Sequence, residues 1–247
     1  MAILELKEVT KTYDDHSVVK GFNFSVNEGE LLCLIGPNGA GKTTSLDLIT
    51  GRQKLTSGAV YFDGENITKL LERQIVGLGV GRKFQVPAVF KELTVQDNFE
   101  VAQTEKRGPF QNMNPFVKKN DRSRFNEIIE LAGLGDRLNT PAGVLSHGET
   151  QWLEIGMVLM QSPRLLLMDE PTAGMTEQET MKTSDIFKEL QGKHTLVVVE
   201  HDMSFVRSIA DIITVMHQGK LLAEGTLTEI EQHAQVKEVY LGAEGIS

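Results

Sequence analysis

A glycine-rich segment that ends in a lysine and two threonines, residues 36–44, has the composition of a phosphate-binding loop. It reads Gly-Pro-Asn-Gly-Ala-Gly-Lys-Thr-Thr, and glycines at these positions let several backbone N–H groups point at one place without a side chain in the way. Lys42 would supply a positive charge for the β- and γ-phosphates, and the Thr43 hydroxyl is a hard oxygen ligand for Mg²⁺. We predict that a nucleotide is bound by Gly36, Pro37, Asn38, Gly39, Ala40, Gly41, Lys42, Thr43 and Thr44.

The elements on either side of this segment support that interpretation. The apolar run 31–35 before it is typical of a buried strand, and residues 45–50 after it have a short helical pattern that Gly51 ends. A strand, a glycine loop and a helix in this order are the context that a phosphate-binding loop requires. The start of the helix adds unpaired N–H groups and the positive end of the helix dipole. The alternative, an ordinary glycine turn with an unrelated lysine, does not account for this context.

Two adjacent carboxylates, Asp169 and Glu170, follow the apolar residues 165–168. Such a run predicts a buried parallel strand with acids at its carboxyl end, which is where open α/β sheets bind their ligands. We predict that Asp169 holds Mg²⁺ and that Glu170 orients and deprotonates the water that attacks the γ-phosphate. The acids could instead cap the next helix, but Thr176 and Glu179 already form a capping box for it.

His201 follows a second apolar strand, residues 195–199, in the same way. A single histidine is most often a structural or surface residue. Because the carboxyl ends of neighbouring parallel strands meet at one edge, we expect the imidazole of His201 to reach the γ-phosphate.

A second anion-binding pattern lies around Ser146. Ser146 and Glu149 form a capping box that opens the apolar-periodic helix 152–160. The simplest interpretation is a well-capped helix, but a serine hydroxyl, Gly148 and a helix N-terminus together also suit an anion. One phosphate loop does not need two such features in a single site, which suggests a site shared between two subunits.

Composition limits the partners of the chain. The 247 residues carry a net charge of −9, which argues against bulk electrostatic binding to nucleic acid or to an acidic membrane face. The single cysteine, Cys33, lies in an apolar strand and is expected to be a buried structural thiol. No secretion signal opens the sequence, and no apolar run approaches the ~18 residues of a membrane helix. We therefore expect a cytoplasmic protein that reaches a membrane only through a partner.

Four further segments have predictions that rest on their residue patterns. Residues 1–35 are predicted to be rich in antiparallel strands, and Tyr13 among them is either a half-buried strand aromatic or a platform for adenine. A predicted strand, 79–84, leads into Gln85. Only this position at the end of a strand distinguishes Gln85 from an ordinary surface glutamine. Residues 103–120 are predicted to be a loop, and residues 121–131 an amphipathic helix that Gly133 ends.

From about residue 3 to 242 the chain resembles an ATP-binding cassette (ABC) ATPase. Residues 36–44 resemble the Walker A motif of that family, and residues 165–170 resemble its Walker B motif. Gln85 matches the Q-loop, residues 145–149 match the signature sequence, and residues 171–175 match the D-loop. His201 matches the switch histidine. The resemblance implies that two cassettes pair head to tail, with each ATP between Walker A of one and the signature of the other. ATP and Mg²⁺ are then the cofactors. The implied further contacts are Gln85 with Mg²⁺ and the reacting groups, Tyr13 with adenine, and Ser146, His147, Gly148 and Glu149 with the ATP of the partner.

The implied architecture is an α/β P-loop NTPase core with an N-terminal antiparallel β subdomain and an inserted α-helical subdomain. The core would comprise about 1–86 and 161–247, and the helical subdomain about 87–160. His147 stands where the general signature has glycine, and Glu149 where glutamine is common. A histidine near phosphates gains from protonation, so pH-dependent turnover is expected.

A closer resemblance is to importers of the hydrophobic amino acid and amide uptake group, through residues 200–206. Within that group, residues 145–148, 151–157 and 173–176 are similar to the first ATPase subunit of bacterial urea importers, with branched-chain amino acid importers as the alternative. The resemblance implies a second cassette (identical or distinct), transmembrane permease subunits and, indirectly, a substrate-binding protein, but no nucleic acid. It also places the chain on the inner face of the membrane.

Two hypotheses of another class stay open beside transport. A soluble ABC ATPase that works in cofactor assembly or DNA repair would share every catalytic motif, although repair members need a long coiled-coil insertion and no heptad pattern occurs here. A regulatory module that binds nucleotide without hydrolysis would not need Glu170.

Overall fold

The computed structural model describes residues 2–83, 89–104 and 115–244, and the side chains of 2–83, 89–103 and 122–240. Its strands in chain order are β1 (Ala2–Tyr13), β2 (His16–Asn27), β3 (Leu31–Ile35), β4 (Ser57–Phe62), β5 (Glu65–Asn66), β6 (Val80–Lys83), β7 (Leu165–Asp169), β8 (Thr195–Val199), β9 (Ile212–His217) and β10 (Lys220–Gly225). Its helices are α1 (Lys42–Ile49), α2 (Glu72–Leu78), α3 (Val95–Thr104), α4 (Pro115–Ala132), α5 (His147–Met160), α6 (Glu177–Leu190), α7 (Met203–Ile209), α8 (Leu227–Gln232) and α9 (Ala234–Glu244).

A six-stranded sheet in the order β10-β9-β3-β8-β7-β6 positions the site. β3 pairs in parallel with β8 and β9, and β7 pairs in parallel with β8 and β6. The residues of β3, β7 and β8 are all buried, because helices or a second sheet cover both faces. The carboxyl ends of these strands therefore meet at one edge, where the phosphate loop, Asp169 and His201 begin.

The second sheet is antiparallel and has the order β2-β1-β4-β5. Successive residues of β3 point to opposite faces, so Leu32 and Leu34 pack with apolar residues of the antiparallel sheet and of α1. Leu31, Cys33 and Ile35 pack on the other face with residues of α5, α6 and α7. The expected β-rich start of the chain is confirmed, and Cys33 is fully buried, which raises the pKa of its thiol.

Helices α3, α4 and α5 pack on one another in the segment between β6 and β7. The rings of Phe99 and Phe125 meet edge to face with centroids 6.2 Å apart. Gly156 allows α5 to approach α3 closely, because a Cβ at Gly156 would lie 3.0 Å from Cζ of Phe99 and closer still to its Cε1. A helical section therefore follows the first half of the parallel sheet, while the subdomain boundaries near residues 87 and 160 remain a prediction.

The predicted loop 103–120 is wrong at both ends. α3 runs to Thr104, and α4 begins at Pro115, six residues before the predicted start at Asp121. Proline opens a helix readily, since its fixed φ suits the first turn and its missing N–H has no partner there in any case. Pro115 therefore begins a helix, and its assignment to a loop is wrong.

Candidate nucleotide-binding site

The phosphate loop connects β3 to α1 and requires glycine at two positions. Gly36 (φ +153°) lies against the backbone of β9, where a Cβ would collide with the carbonyl oxygen of Met216. Gly41 has φ +107°, and a Cβ there would lie 3.0 Å from the carbonyl oxygen of Val18. The loop is fastened by a hydrogen bond of 2.9 Å from the N–H of Gly219 to the carbonyl of Ala40. These contacts hold the loop curled before any ligand is bound.

A cavity of about 170 Å³ lies over this loop. It is lined by Val18, residues 38–44 and Glu170. The N-cap of α1 is Gly41, which offers no side chain to the helix, and the first turn holds no acid. The N–H groups of that turn have no carbonyl partner within the helix, so they and the helix dipole favour an anion in the cavity.

Lys42 begins α1 and is only 7% exposed. Its Nζ donates to the carbonyl oxygens of Gly36 at 2.7 Å and Pro37 at 3.2 Å. Burial lowers the pKa of Lys42, while the charges of Glu170 and Asp169 act in the opposite direction. The ammonium group is therefore kept over the loop by backbone carbonyls, in reach of a phosphate that enters the cavity.

Thr43 and Asp169 present two hard oxygen atoms side by side. The Thr43 hydroxyl donates to Oδ1 of Asp169 at 3.4 Å. Asp169 is 2% exposed, and burial raises its pKa, whereas the nearby Arg82 lowers it. Mg²⁺ in nucleotide sites is held by one or two such side chains together with phosphate oxygens and water, so this donor pair fits Mg²⁺. Among the described residues there is no cluster of three or more His, Cys, Asp or Glu side chains that would hold a metal by itself.

Glu170 and His201 lie at the ends of the neighbouring strands β7 and β8. Oε1 of Glu170 is 3.7 Å from Nδ1 of His201. The backbone of Glu170 has φ +47°, an unfavourable region for a residue with a side chain, and its N–H donates to the carbonyl of Val199 at 2.9 Å. That turn directs the carboxylate into the cavity, where a general base for an attacking water is needed.

Glu200, which the sequence analysis did not single out, is fully buried between the two strand ends. Its Oε1 accepts from the N–H of Thr172 at 3.1 Å and from its hydroxyl at 2.6 Å, and its Oε2 accepts from the N–H of His201 at 3.0 Å. The carboxylate thus joins the segment after Glu170 to the backbone of His201. A charged residue at the end of an apolar strand was the only signal for it in the sequence.

Arg82 is a second missed residue, on the edge strand β6. Its Nη1 lies 2.6 Å from Oδ1 of Asp47, and its Nη2 lies 3.6 Å from Oδ2 of Asp169. Arg82 is 9% exposed, so its charge acts on Asp169 through little solvent. It stabilises the ionised carboxylate that a metal ligand requires.

The predicted signature capping box is confirmed, and α5 begins five residues before the expected start at Trp152. The N–H of Glu149 donates to the Ser146 hydroxyl at 3.1 Å, and Oε2 of Glu149 accepts from the N–H of Ser146 at 2.8 Å. Nε2 of His147 lies 2.8 Å from the carbonyl oxygen of Ala173. A carbonyl only accepts, so Nε2 carries a proton and His147 binds the D-loop segment 171–175 of its own chain.

Tyr13 and Gln85 are the remaining predicted site residues. Tyr13 ends β1, is 40% exposed and is not among the residues that line the cavity. Nζ of Lys11 lies 4.6 Å from its ring centroid. Gln85 lies outside the described residues, so its predicted role stays a prediction. The structure thus brings together the phosphate loop, Asp169, Glu170 and His201, and no described signature residue lines the same cavity.

Comparisons with known proteins agree with this geometry. The family model of the ABC transporter family matches residues 19–173. The branched-chain amino acid transport ATP-binding protein BraF of Pseudomonas aeruginosa is 36% identical, covering 97% of this chain and 98% of its own. The ADP conformation of MJ1267, an ATP-binding cassette of an ABC transporter, superposes with a TM-score of 0.85 at 31% identity. The match covers 98% of this chain and 99% of that chain.

A solved dimer is also similar. The post-hydrolysis state of the cassette MJ0796, bound to ADP and Pi, has a TM-score of 0.77 at 29% identity, with 91% of this chain and 98% of that chain covered. The fold class expected from the sequence is confirmed by these structures. The chain therefore belongs to the ABC transporter family, as one of its ATP-hydrolysing nucleotide-binding cassettes.

Proposed function

We propose that this chain binds Mg²⁺-ATP at residues 36–44 and hydrolyses it in a pair of cassettes that powers an importer. The observation that carries the proposal is that Glu170 lines the phosphate-loop cavity and lies 3.7 Å from His201. The backbone amides and Lys42 bind the phosphates. Glu170 takes the proton of the attacking water, and His201 contacts the γ-phosphate. Thr43, Asp169 and Gln85 would hold Mg²⁺, whose charge would offset that of the phosphates.

Pairing of two cassettes is supported by the position of the signature. Ser146 and Gly148 carry anion-binding groups at the start of α5, yet they do not line the cavity of their own chain. A second subunit would bring its phosphate loop to them, as the likeness to a dimeric cassette also supports. We propose that Ser146, His147, Gly148 and Glu149 contact ATP bound by the partner, and that Tyr13 stacks on adenine.

The transported molecule is proposed to be a branched-chain or similar hydrophobic amino acid. The relatives support this cargo rather than urea, which the sequence resemblance had favoured: proteins named as branched-chain amino acid transport ATP-binding proteins match nearly the whole chain. The cargo is bound by other subunits. A substrate-binding protein would deliver it to the permease, and this chain would supply the energy.

A permease would dock on exposed apolar side chains that follow the Gln85 segment. Phe90, Leu93 and Val144 are 51%, 37% and 71% exposed. Hydrogen bonds from the N–H of Ala142 to the carbonyl of Leu93, and from Gly143 to Lys91, hold the two segments side by side. Exposed apolar patches of this kind mark contact surfaces. We propose a peripheral position on the inner face of the membrane through this surface; in the described part of the chain no helix is both long and apolar enough to cross a bilayer.

The proposal is tested by ATPase activity as a function of protein concentration, with Mg²⁺. We expect specific activity to rise with concentration for the wild type, because each site needs two subunits. Glu170→Gln should bind ATP normally with turnover reduced at least ~100-fold, as for loss of a general base. Lys42→Ala should lose ATP affinity instead. Constant specific activity that survives in Glu170→Gln would contradict the mechanism.

The cargo is tested in vesicles that contain the permease and the substrate-binding protein. Leucine should stimulate ATP hydrolysis and enter the vesicles, whereas urea should do neither. Stimulation by urea alone would restore the urea hypothesis. Hydrolysis that never couples to a permease would favour a soluble, non-transport cassette.

A further inference from the structure

We infer that Glu179 is an internal ligand of the signature, and that the subunit must release it before it can bind the ATP of a partner. Oε1 of Glu179 accepts from the N–H of Gly148 at 3.2 Å and from the hydroxyl of Ser146 at 3.4 Å. Gly148 fits only because it has no side chain, since a Cβ there would overlap this carboxylate. An anion from α6 of the same chain therefore already lies at the N-terminus of α5.

The donors that Glu179 takes are the ones that a phosphate would need. Ser146 has one hydroxyl proton, and it is directed at Glu179, while the hydroxyl oxygen accepts from the N–H of Glu149 at 3.1 Å. The N–H of Gly148 lies in the first turn of α5, where no intrahelical carbonyl is available to it. A phosphate at this helix start and the carboxylate of Glu179 would therefore compete for the same two protons.

The carboxylate is held in place and ionised by a second pair of donors. Its Oε2 accepts from the N–H of Thr176 at 2.9 Å and from the Thr176 hydroxyl at 3.0 Å. These bonds, together with those from Gly148 and Ser146, lower the pKa of Glu179. The bonds to Thr176 do not involve the signature, so the carboxylate can leave Ser146 and Gly148 while α6 keeps its cap.

The inference rests on the proposed function, in which the signature binds ATP held by the second subunit. In the unpaired subunit Glu179 satisfies the signature donors and keeps them away from free anions. In the pair, the γ-phosphate replaces it. Because two negative groups cannot share these donors without repulsion, Glu179 raises the ATP and protein concentrations that pairing requires.

The test measures pairing in the Glu170→Gln background, in which ATP is bound and not consumed. Sedimentation with Mg²⁺-ATP gives the dimer dissociation constant of Glu170→Gln and of Glu170→Gln/Glu179→Gln. Glutamine keeps an acceptor for Thr176, as Gln74 does in the capping box of α2, but it removes the negative charge. We expect the dissociation constant to fall about fivefold, from a modest gain at each of two equivalent sites.

Two matched controls separate this effect from others. Glu177→Gln removes the same charge from the first turn of α6, where no described hydrogen bond joins Glu177 to the signature. Glu229→Gln changes an equivalent capping box, in which Glu229 accepts from the N–H and hydroxyl of Thr226 at 2.8 and 2.9 Å. Both should leave the dissociation constant within about twofold of the parent.

The outcomes distinguish the inference from the proposed function. Pairing that is unchanged or weaker in Glu170→Gln/Glu179→Gln, or strengthened equally by Glu177→Gln, would overturn the role of Glu179 alone. A Glu170→Gln parent that never pairs with ATP would overturn the proposed function and, with it, the inference. Hydrogen exchange of the Gly148 amide in the nucleotide-free subunit tests the contact itself: it should be faster in Glu179→Ala than in Glu177→Ala.

Discussion

Single carboxylates at the ends of β7 and β8 have separate tasks that their surroundings determine. Asp169 is buried beside Thr43 and Arg82, which suits an ionised metal ligand. Glu170 is only partly buried, opens into the cavity and lies near His201, which suits a base. Glu200 is fully buried and bonded to backbone and hydroxyl donors. These bonds suit a residue that positions the groups proposed to contact the nucleotide.

The positioning role of Glu200 predicts the effect of Glu200→Gln. The amide has one acceptor oxygen where the carboxylate has two, so either Thr172 or the N–H of His201 loses its acceptor, at a cost of about 1–3 kcal/mol. We expect kcat to fall about tenfold with the KM for ATP nearly unchanged, because the described hydrogen bonds of the Glu200 carboxylate go to Thr172, His201 and Asp202 and not to the phosphate loop. Glu224→Gln makes the same exchange on the edge strand β10, where the Glu224 carboxylate accepts from the hydroxyl of Thr214, and it should leave kcat unaltered. An equal loss in both variants would contradict the assignment.

At the scale of elements, side-chain contacts join the first halves of α5 and α6. Besides the bonds of Glu179, Nε1 of Trp152 donates to the hydroxyl of Thr183 at 3.0 Å, and Nζ of Lys182 lies 3.5 Å from the Trp152 ring centroid. His147 adds its bond to the carbonyl of Ala173. These contacts join the start of α5 to α6 and to residues 171–175. In the proposed pair, a change at the partner's nucleotide would therefore reach the D-loop segment of this chain.

Helix α7 follows His201 and has Asp202 as its N-cap. Oδ1 of Asp202 accepts from the N–H of Ser204 at 2.8 Å and from its hydroxyl at 2.6 Å, and these bonds lower the pKa of Asp202. We expect Asp202→Ala to reduce the free energy of unfolding by about 1 kcal/mol at pH 7, measured by urea denaturation. Asp202→Asn, which keeps a cap acceptor, should lose less.

The sign of the pH effect follows from the lowered pKa. The ionised cap contributes its full stability above the pKa of the unfolded state, about 3.9. That stability is lost as the pH falls toward the lower pKa of the folded state. The difference between wild type and Asp202→Ala should therefore shrink below about pH 4. A difference that grows in acid would show that Asp202 acts in another way.

At the scale of the whole molecule, the proposed function requires two contact surfaces. One comprises the phosphate loop and the start of α5, two separate anion-binding features that a second cassette would complete in the proposed pair. The other is the apolar patch of Phe90, Leu93 and Val144. The net charge of −9 gives no general attraction to an acidic membrane, so attachment must come from a specific contact.

The patch predicts a variant that separates hydrolysis from transport. Phe90→Ser/Val144→Ser should remove exposed apolar area with little loss of stability, because neither side chain is in the core. We expect cofractionation with permease-containing membranes to fall at least about tenfold, as for loss of interface anchors, while the ATPase activity of the free protein is kept. Leu71→Ser, which changes a comparably exposed side chain (55%) at the N-cap of α2, is the control. Equal membrane binding by all three proteins would place the docking surface elsewhere.

The sequence by itself determined the elements that form through interactions between residues close together in the chain. The phosphate loop, the strands β3, β7 and β8, and the capping boxes at Ser146 and Thr176 depend on residues a few positions apart. Backbone sterics, continuous apolar runs and side-chain capping act at that range, so the pattern could be recognised without coordinates. The start of α4 was missed because a proline was taken as a loop signal where it opens a helix.

Only the tertiary structure decided which side chains share a partner. Glu179 meets Gly148 across 31 positions of sequence, and Glu200 meets Thr172 across 28. Such contacts depend on how helices and strands pack, and a glutamate in a capping box or after a strand has the same local pattern whether or not a second segment lies against it. The residue types that could perform the chemistry were therefore recognisable in the sequence, whereas the contacts of Glu200 and Glu179 that position them followed from packing.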